Sequence, residues 1–225
     1  MTYKTIDDTT IAEIIIKKSR FICILIPLNQ IQDIDSGRNE FKQKYLGANH
    51  YCFAYRLRQD GSTLERCSDD GEPGGTAGWP MLNVLAQNDL ENIMAIVVRY
   101  FGGTLLGTGG LVKAYTQSVQ SALEKARIIS MEYSQKIMLT LDYSYYGSFE
   151  NISNIVNEVA DIQYAEQVRL KVWVAVDKLD TFIAKVEDLS SGTAKVEMLE
   201  QGFVHNKNNI VNSSSYLYSC KPSSR

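Results

Sequence analysis

Three carboxylates and four glycines are concentrated in residues 69–80, which read Asp-Asp-Gly-Glu-Pro-Gly-Gly-Thr-Ala-Gly-Trp-Pro. Clustered oxygens of this kind can bind a hard divalent cation or position a polar ligand. The spacing of Asp69, Asp70 and Glu72 is not that of an EF-hand. Glycine also supplies turns with positive φ, and Asp and Thr bind backbone amides. The residues alone leave both a ligand site and a purely structural loop open.

A second glycine-rich segment, residues 99–113, has the pattern of a strand, a loop and the start of a helix. Backbone amides at a helix N-terminus attract phosphate or carboxylate groups. The segment has Thr108 where a P-loop needs Lys, and Val112 where a dinucleotide-binding loop has its third glycine. It is therefore a possible phosphate-binding loop or a set of glycines needed for tight turns and close helix packing. Its candidate residues are Gly102, Gly103, Gly107, Thr108, Gly109 and Gly110.

The sequence shows no complete catalytic or metal-binding motif around its histidines and cysteines. His50 and His205 are the only histidines, and no P-C-x-x-C follows His50 to complete a deaminase zinc site. The four cysteines are scattered without a C-x-x-C pair, so we expect reduced structural thiols. We predict no cofactor and no metal motif, and we favour a binding protein over an enzyme.

Basic and aromatic residues alternate along the first half of the chain. Such a mixture is typical of surfaces that bind single-stranded nucleic acid, although strand arginines can equally pair with Asp69, Asp70 and Glu72. The basic members are Arg20, Arg56, Arg58, Arg66, Arg99 and Lys113, and the aromatic members are Tyr51, Phe53, Tyr55, Tyr100 and Phe101.

The composition is that of a globular protein, with 44% hydrophobic and 22% charged residues. A net charge of −3 argues against nucleic-acid binding by bulk positive charge, and we expect no sequence-specific DNA binding. The apolar runs are too short to cross a membrane, and the first eight residues do not resemble a signal peptide. We therefore expect a cytoplasmic protein.

The first part of the chain predicts a mixture of strands and helices. Thr76 is a candidate cap for a helix that reaches about residue 87, and the continuous apolar run 93–100 indicates a central strand buried on both faces. A helix over 109–127 has an apolar face at steps of three and four. The other predicted elements are strands at 11–17, 21–27, 51–57 and 63–67 and a helix at 33–45.

Beyond residue 130 the pattern becomes βαββαβ, with helices at 147–160 and 178–190. The strands are predicted at 136–143, 161–166, 168–176 and 194–201. The sequence thus predicts an α+β protein with a first domain at 1–132, a second at 133–204 and a polar, disordered tail at 205–225.

Four stretches together resemble the IMPACT family in its bacterial YigZ-type branch: Lys18-Ser19-Arg20-Phe21-Ile22, the segment from His50 to Arg56, residues 69–80 and residues 98–115. The resemblance extends over about residues 5–127, and the second domain resembles the smaller partner domain of those proteins.

This resemblance implies a fold for each domain. The first would share the fold of domain IV of elongation factor G and of the second domain of a small-subunit ribosomal protein. The second would be ferredoxin-like, as is domain V of the same factor. Eukaryotic IMPACT proteins regulate translation by competing for an activator of an initiation-factor kinase. Bacteria lack that kinase pathway, so the partner itself is not carried over.

We therefore expect a translation-linked regulatory protein that binds RNA or a ribosome-associated partner through its first domain. The alternative is an enzyme or binding protein for a phosphorylated small molecule or nucleotide. It would hold the phosphate at 102–110 and Mg²⁺ at Asp69, Asp70 or Glu72. The residues of the family surface would be Arg20, His50, Arg56, Asp69, Asp70, Glu72, Arg99 and Lys113.

Overall fold

The chain folds into two compact units. The computed structural model describes residues 1–59 and 61–210. Lys4–Ile128 forms the N-terminal unit, and Met1–Tyr3 joins the chain from Ile129 onward in the C-terminal unit. The division falls four residues before the boundary proposed from sequence. Strand β1 (Thr2–Ile6) contributes residues to both units.

The N-terminal unit is built on an antiparallel five-stranded sheet with three helices. Its strand order is β2-β3-β6-β4-β5. The predicted strands are confirmed to within two residues at either end. The elements are β2 (Thr10–Ile16), β3 (Ser19–Pro27), α1 (Gln32–Lys44), β4 (His50–Gln59), β5 (Ser62–Ser68), α2 (Gly78–Gln87), β6 (Ile93–Tyr100) and α3 (Thr108–Leu123).

The central strand β6 is covered on both faces, which confirms the prediction from its continuous apolar run. Ile93, Ala95 and Val97 pack into the core formed with α2 and α3. Met94 and its alternate neighbours pack into a second core that includes Phe41 of α1. Because successive side chains of a strand point to opposite faces, only an uninterrupted apolar run can fill both cores.

The turn between β2 and β3 packs tightly against the glycine-rich segment. Lys17 and Lys18 both have positive φ, at 45° and 67°. A Cβ on Gly102 would lie 2.0 Å from the carbonyl carbon of Lys18, and the Gly102 amide donates to the Ser19 hydroxyl at 3.1 Å. Gly102 is therefore required by the close approach of two backbone segments.

The C-terminal unit contains a second sheet. Its strands β10-β7-β9-β8 pair antiparallel in that order, and β1 also pairs with β7. Phe149 and Ile152 from a 3-10 segment, and Phe182 and Val186 from the last helix, pack in one core with the sheet. The elements are β7 (Ile128–Leu141), α4 (Tyr143–Tyr146), the 3-10 helix Gly147–Ile155, β8 (Val156–Tyr164), β9 (Val168–Ala175), the 3-10 turn Val176–Lys178, α5 (Leu179–Leu189) and β10 (Lys195–Ile210).

The predicted helix at 147–160 is wrong. Residues Gly147–Ile155 form a 3-10 helix, and β8 begins at Val156. The segment contains Asn and Ser, which favour turns over helix interiors. In β8, Asn157 is buried, and its side-chain amide donates to Glu132 and Ser134 at 3.0 Å each. These tertiary contacts select the strand.

The domain boundary predicted between residues 132 and 133 falls inside a strand, because β7 runs without interruption from Ile128 to Leu141.

The prediction of a disordered tail from residue 205 is wrong for residues 205–210, which continue β10. Asn206 is buried, and its amide donates to Glu132 at 2.7 Å. Residues 211–225 of the predicted tail lie outside the described part of the chain.

Two further differences concern strand β1 and the end of helix α3. Strand β1 was not predicted, although Thr2–Ile6 is rich in β-forming residues. Helix α3 ends at Leu123 and not near residue 127, because the amides of Lys125 and Ala126 both bind the carbonyl of Ala122.

Within the described residues, no helix is both long and apolar enough to cross a bilayer.

Two glycines of the same segment should respond oppositely to alanine. Gly102→Ala should lower the free energy of unfolding by about 3 kcal/mol, because its Cβ collides with backbone that cannot move away. Gly109→Ala should raise it by up to about 1 kcal/mol, because Gly109 has open space and no positive φ. Urea denaturation of both variants tests this. Equal stabilities would contradict the role given to Gly102.

Candidate functional site

Asp69 organises the loop between β5 and α2. Its Oδ1 accepts hydrogen bonds from the amides of Ala77 and Gly78 at 2.9 and 2.8 Å, and its Oδ2 accepts one from Gly75 at 2.9 Å. Burial by itself raises the pKa of this carboxyl, but the three backbone N–H groups outweigh burial and lower the pKa below its ordinary value. Asp69 therefore caps α2, and the predicted cap by Thr76 is wrong, since its hydroxyl bonds within the loop.

Asp70 holds the loop against the start of β4. Its carboxylate accepts a hydrogen bond from the Tyr51 amide at 2.7 Å. The Asp70 carbonyl lies 2.9 Å from Nδ1 of His50. Since a carbonyl can only accept, Nδ1 of His50 carries a proton, and in the neutral ring Nε2 is an acceptor.

Glu72 and Arg99 form a buried ion pair, with 3% and 6% of their side chains exposed. Nη1 of Arg99 donates to Oε1 of Glu72 at 2.5 Å, and the hydroxyl of Tyr115 donates to the same oxygen at 2.7 Å. Nε2 of His50 lies 3.9 Å from this oxygen. Four parts of the unit therefore meet at the carboxylate of Glu72: the loop that contains residues 69–77, and the elements β4, β6 and α3.

A cleft of about 520 Å³ opens above this ion pair. His50, Glu72 and Arg99 line its interior, and the exposed Phe101 and Leu105 line its outer part. The start of α3 borders it as well, through Gly107 and Thr108. The tertiary structure thus brings together three of the residues predicted for the family surface with two from the predicted phosphate-binding loop.

Cys52 and Tyr115 lie behind the cleft in the core. The thiol of Cys52 donates to the Asp69 carbonyl at 2.9 Å and is 3.3 Å from the Tyr115 hydroxyl. Burial raises the pKa of Cys52 to about 12 and raises the pKa of Tyr115 above its ordinary value. Neither group is therefore ionised near neutral pH. Cys23 and Cys67 are also free thiols, whereas Cys220 lies outside the described residues.

Arg20, Arg56 and Lys113 do not line the cleft. Arg20 is exposed and pairs with Glu13 at 2.7 Å. Arg56 pairs with Glu65 at 2.7 Å, and its Nη1 donates to a backbone carbonyl at 2.8 Å. Lys113 is exposed on α3. The alternative that strand arginines pair with Asp69, Asp70 and Glu72 holds for Arg99, which pairs with Glu72. Arg56 instead links strands β4 and β5 through Glu65.

The carboxylates do not converge as the magnesium alternative requires. Asp69 binds the amides of the loop, Asp70 binds the Tyr51 amide, and Glu72 binds Arg99. Within residues 1–59 and 61–210, no three His, Cys, Asp or Glu residues are grouped so as to hold a metal ion. Each carboxylate instead has a role in the architecture of the loop.

The glycines of the second segment serve different purposes. Gly103 and Gly107 have positive φ, at 82° and 74°, and Gly107 is the residue that precedes α3. A Cβ on Gly110 would lie 3.0 Å from Leu106. Gly109, in contrast, has open space around it and a φ that other residues adopt. Tight turns and close packing therefore account for four of the five glycines in this segment, and Gly109 is the exception.

A row of cations over tyrosine rings lies on the side of the sheet that packs on α1. We call Arg20, Lys42, Lys44, Tyr45, Tyr51 and Tyr100 the basic-aromatic surface. Arg20 lies 5.5 Å from the Tyr100 ring centroid, Lys42 lies 5.5 Å from that of Tyr51, and Lys44 lies 5.9 Å from that of Tyr45. The hydroxyl of Tyr51 donates to the Tyr45 carbonyl at 2.6 Å, which links two of these pairs.

Sequence reasoning found only part of this surface. It included Arg20, Tyr51 and Tyr100 but missed both lysines of α1 and Tyr45. It also included Arg99 and Tyr55, which are buried. The available signal was the basic last turn of α1, which places Lys42 and Lys44 directly before Tyr45.

Comparison with known proteins identifies the family. The Impact N-terminal domain matches residues 17–123, and a domain of unknown function, DUF1949, matches residues 139–193. IMPACT family member YvyE of Bacillus subtilis is 32% identical to this chain, covering 87% of it and 90% of YvyE. IMPACT family member YigZ of Escherichia coli is 35% identical, covering 83% of this chain and 92% of YigZ.

A crystal structure of a hypothetical protein is also similar, with a TM-score of 0.58 and 32% identity, covering 88% of this chain and 98% of that one. The fold is that of a two-domain α+β protein with one sheet in each unit. The chain belongs to the IMPACT family.

Removal of the Asp69 carboxylate should destabilise the N-terminal unit in a pH-dependent way. Asp69→Asn should cost about 1 kcal/mol at pH 7, because an amide nitrogen cannot accept a backbone N–H. The folded pKa is lowered, so this contribution is complete above the ordinary value of 3.8 and is lost as the pH falls through the folded pKa.

The test is chemical denaturation of the wild type and Asp69→Asn between pH 7 and about pH 3. The difference in stability should shrink at the acidic end. Asp8→Asn, at an exposed carboxylate, is the matched control. A difference that stays constant with pH would rule out the carboxylate as the stabilising group.

Proposed function

We propose that this protein has a translation-related regulatory role in the cytoplasm, and that it binds RNA or an RNA-containing ribosomal partner. The contact is made by the basic-aromatic surface of the N-terminal unit. Membership in the IMPACT family supports the regulatory part, because translational regulation is what the resemblance to that family implies. The observation that carries the binding part is the row of three cations, each placed over a tyrosine ring.

Such a row suits single-stranded RNA for two physical reasons. Bases stack on aromatic rings with little dependence on sequence, and neighbouring cations neutralise the phosphates that follow one another along the strand. Lys42 and Lys44 are exposed, and Tyr45, Tyr51 and Tyr100 are partly exposed. The side chains can therefore reach both components of a nucleotide chain without unfolding any part of the unit.

The overall charge of −3 is compatible with this proposal. Binding of a polyanion depends on the local potential, to which the exposed Lys42 and Lys44 contribute positive charge. Glu13 compensates Arg20, so the two lysines of α1 are the main source of net positive charge.

We extend the proposal to the folds of the two units. The strand order β10-β7-β9-β8, with both helical segments in one core, supports a ferredoxin-like C-terminal unit. We propose that the N-terminal unit corresponds to domain IV of elongation factor G. Two units in the succession found in that factor favour a ribosomal partner, although fold similarity is weaker support than the surface itself.

Neutralising the two lysines of α1 should weaken RNA binding and its dependence on salt. For Lys42→Gln/Lys44→Gln, the slope of log affinity against log salt should fall by about 0.7 for each phosphate that a lysine no longer neutralises. Gln is a good helix former, so α1 should remain folded. Fluorescence anisotropy with a labelled single-stranded RNA at several salt concentrations measures the slope.

The matched control is Lys178→Gln/Lys185→Gln, which removes two exposed lysines from the C-terminal unit. It should retain the wild-type slope. Co-sedimentation with ribosomal particles from a lysate, with and without nuclease, tests the partner. Migration with the particles that resists both salt and nuclease would contradict an RNA contact and indicate a protein partner.

A further inference from the structure

The cleft of the N-terminal unit contains a buried cation whose hydrogen-bonding capacity is only partly used. Arg99 is 5% exposed and lines the cleft. Its Nη1 donates to Glu72, whereas its Nε is buried and has no hydrogen-bond partner among the described residues. Phe21 and Phe101, whose ring centroids lie 5.3 and 5.7 Å from the guanidinium carbon, pack near it. A buried donor without a partner is costly. Because Nε itself is closed off, an anion in the cleft would interact with the guanidinium group as a whole, which lines the cleft.

The same cleft is bordered by the N-terminus of α3, a helix of 16 residues. The amide of Leu111 donates to the carbonyl of Gly107 and so closes the first turn of this helix. No side chain caps the preceding amides, so those of Thr108 and its neighbours are available to an acceptor. An arginine together with an open helix N-terminus is a typical site for a phosphate group.

The cleft also offers hydrogen-bond acceptors. Glu72 lines it, and His50 lines it with Nε2 directed toward the region of Glu72, 3.9 Å from its Oε1. The charges of Arg99 and Glu72 cancel, so the positive potential left in the cleft is that of the N-terminus of α3, which suits one phosphate group better than a polyphosphate. A ligand that also carries hydroxyl or amino donors would satisfy these acceptors.

The outer part of the cleft is apolar. Phe101 and Leu105 line it and are 45% and 82% exposed. The volume of about 520 Å³ is far larger than an inorganic phosphate needs and lies in the usual range for small organic ligands. A flat aromatic group can stack on Phe101 while its polar end reaches the interior.

We propose that this cleft binds a single nucleotide unit that bears a monophosphate. The phosphate lies against the Thr108 amide and Arg99, the sugar hydroxyls face Glu72 and His50, and the base stacks on Phe101. The unit is either a free nucleoside monophosphate or the 5′-phosphorylated end of an RNA. The inference rests on the cleft alone, and not on the basic-aromatic surface.

The direct test is isothermal titration of the full chain with adenosine 5′-monophosphate and with adenosine. The monophosphate should bind at least about tenfold more tightly than the nucleoside, because the charged hydrogen bonds depend on the phosphate. Equal affinities, or no binding of the monophosphate at millimolar concentration, would overturn the proposal.

Proline at position 108 isolates the backbone contact. Thr108 is the first residue of α3, where proline is tolerated, and Gly107 before it has an extended ψ of 165°. Thr108→Pro removes the amide hydrogen and should weaken monophosphate binding by about tenfold or more. Thr108→Ala keeps the amide and should therefore bind the monophosphate several-fold more tightly than Thr108→Pro does. If both variants bind equally, the helix N-terminus does not hold the phosphate.

Phe101→Ala provides a second test that does not involve the helix, since Phe101 is partly exposed. It should weaken binding of the monophosphate by about fivefold or more through loss of stacking. Tyr164→Ala, at an exposed aromatic residue of the C-terminal unit, is the matched control and should have no effect. Unchanged binding of the monophosphate by Phe101→Ala would overturn the proposal that the base stacks on Phe101.

Short RNAs separate the two sources of the nucleotide. A 5′-phosphorylated tetranucleotide that binds more tightly than the monophosphate, and loses this advantage when the phosphate is absent, supports an RNA end. A tetranucleotide that binds no better supports a free nucleotide. Lys42→Gln/Lys44→Gln should leave monophosphate binding unchanged. The proposal for the cleft and the proposal for the basic-aromatic surface can therefore be contradicted independently of each other.

Discussion

The N-terminal unit depends on the neutralisation of one buried carboxylate. A carboxylate as buried as Glu72 is tolerated only when a cation and hydrogen-bond donors compensate for its lost hydration. Arg99 supplies the charge from the end of the central strand, and Tyr115 supplies a hydroxyl from α3. Removal of one partner from such a pair typically costs about 3–5 kcal/mol. The pair therefore constrains how the glycine-rich loop, the sheet and α3 meet, and the cleft is a consequence of that meeting.

The two glycine-rich segments have different structural roles near the ion pair of Glu72 and Arg99. The first brings a chain segment back to the sheet, where Asp69 binds three of its amides and thereby supplies the cap of α2. The second passes within backbone contact of the β2–β3 turn at Gly102 and then opens into α3 after Gly107. Most glycines of the two segments are thus required by backbone geometry, whereas the start of α3 keeps amides that no side chain caps.

The unit presents two chemically distinct surfaces. The basic-aromatic surface is open and extended, which suits a flexible polyanion whose position along the row can vary. The cleft is a partly open concavity of about 520 Å³ with a single arginine already paired to Glu72, which suits one small ligand. A chain with a net charge of −3 can support both, because each relies on the placement of a few charges and not on the total.

Periodicity and composition by themselves determined most of the N-terminal secondary structure. This includes the central strand Ile93–Tyr100, because a short continuous apolar run rich in β-branched residues is typical of a strand buried on both faces. The resemblance to the IMPACT family, and not these patterns, marked His50, Glu72 and Arg99 together as candidates for the family surface. Only the tertiary structure decided that these three share a cleft while Arg56 pairs with Glu65, since local pattern carries no information on which side chains meet across a sheet. It likewise decided that Asp69 replaces Thr76 as the cap and that residues 156–160 form a strand. In each case a contact between residues distant in sequence outweighed the local preference of the chain.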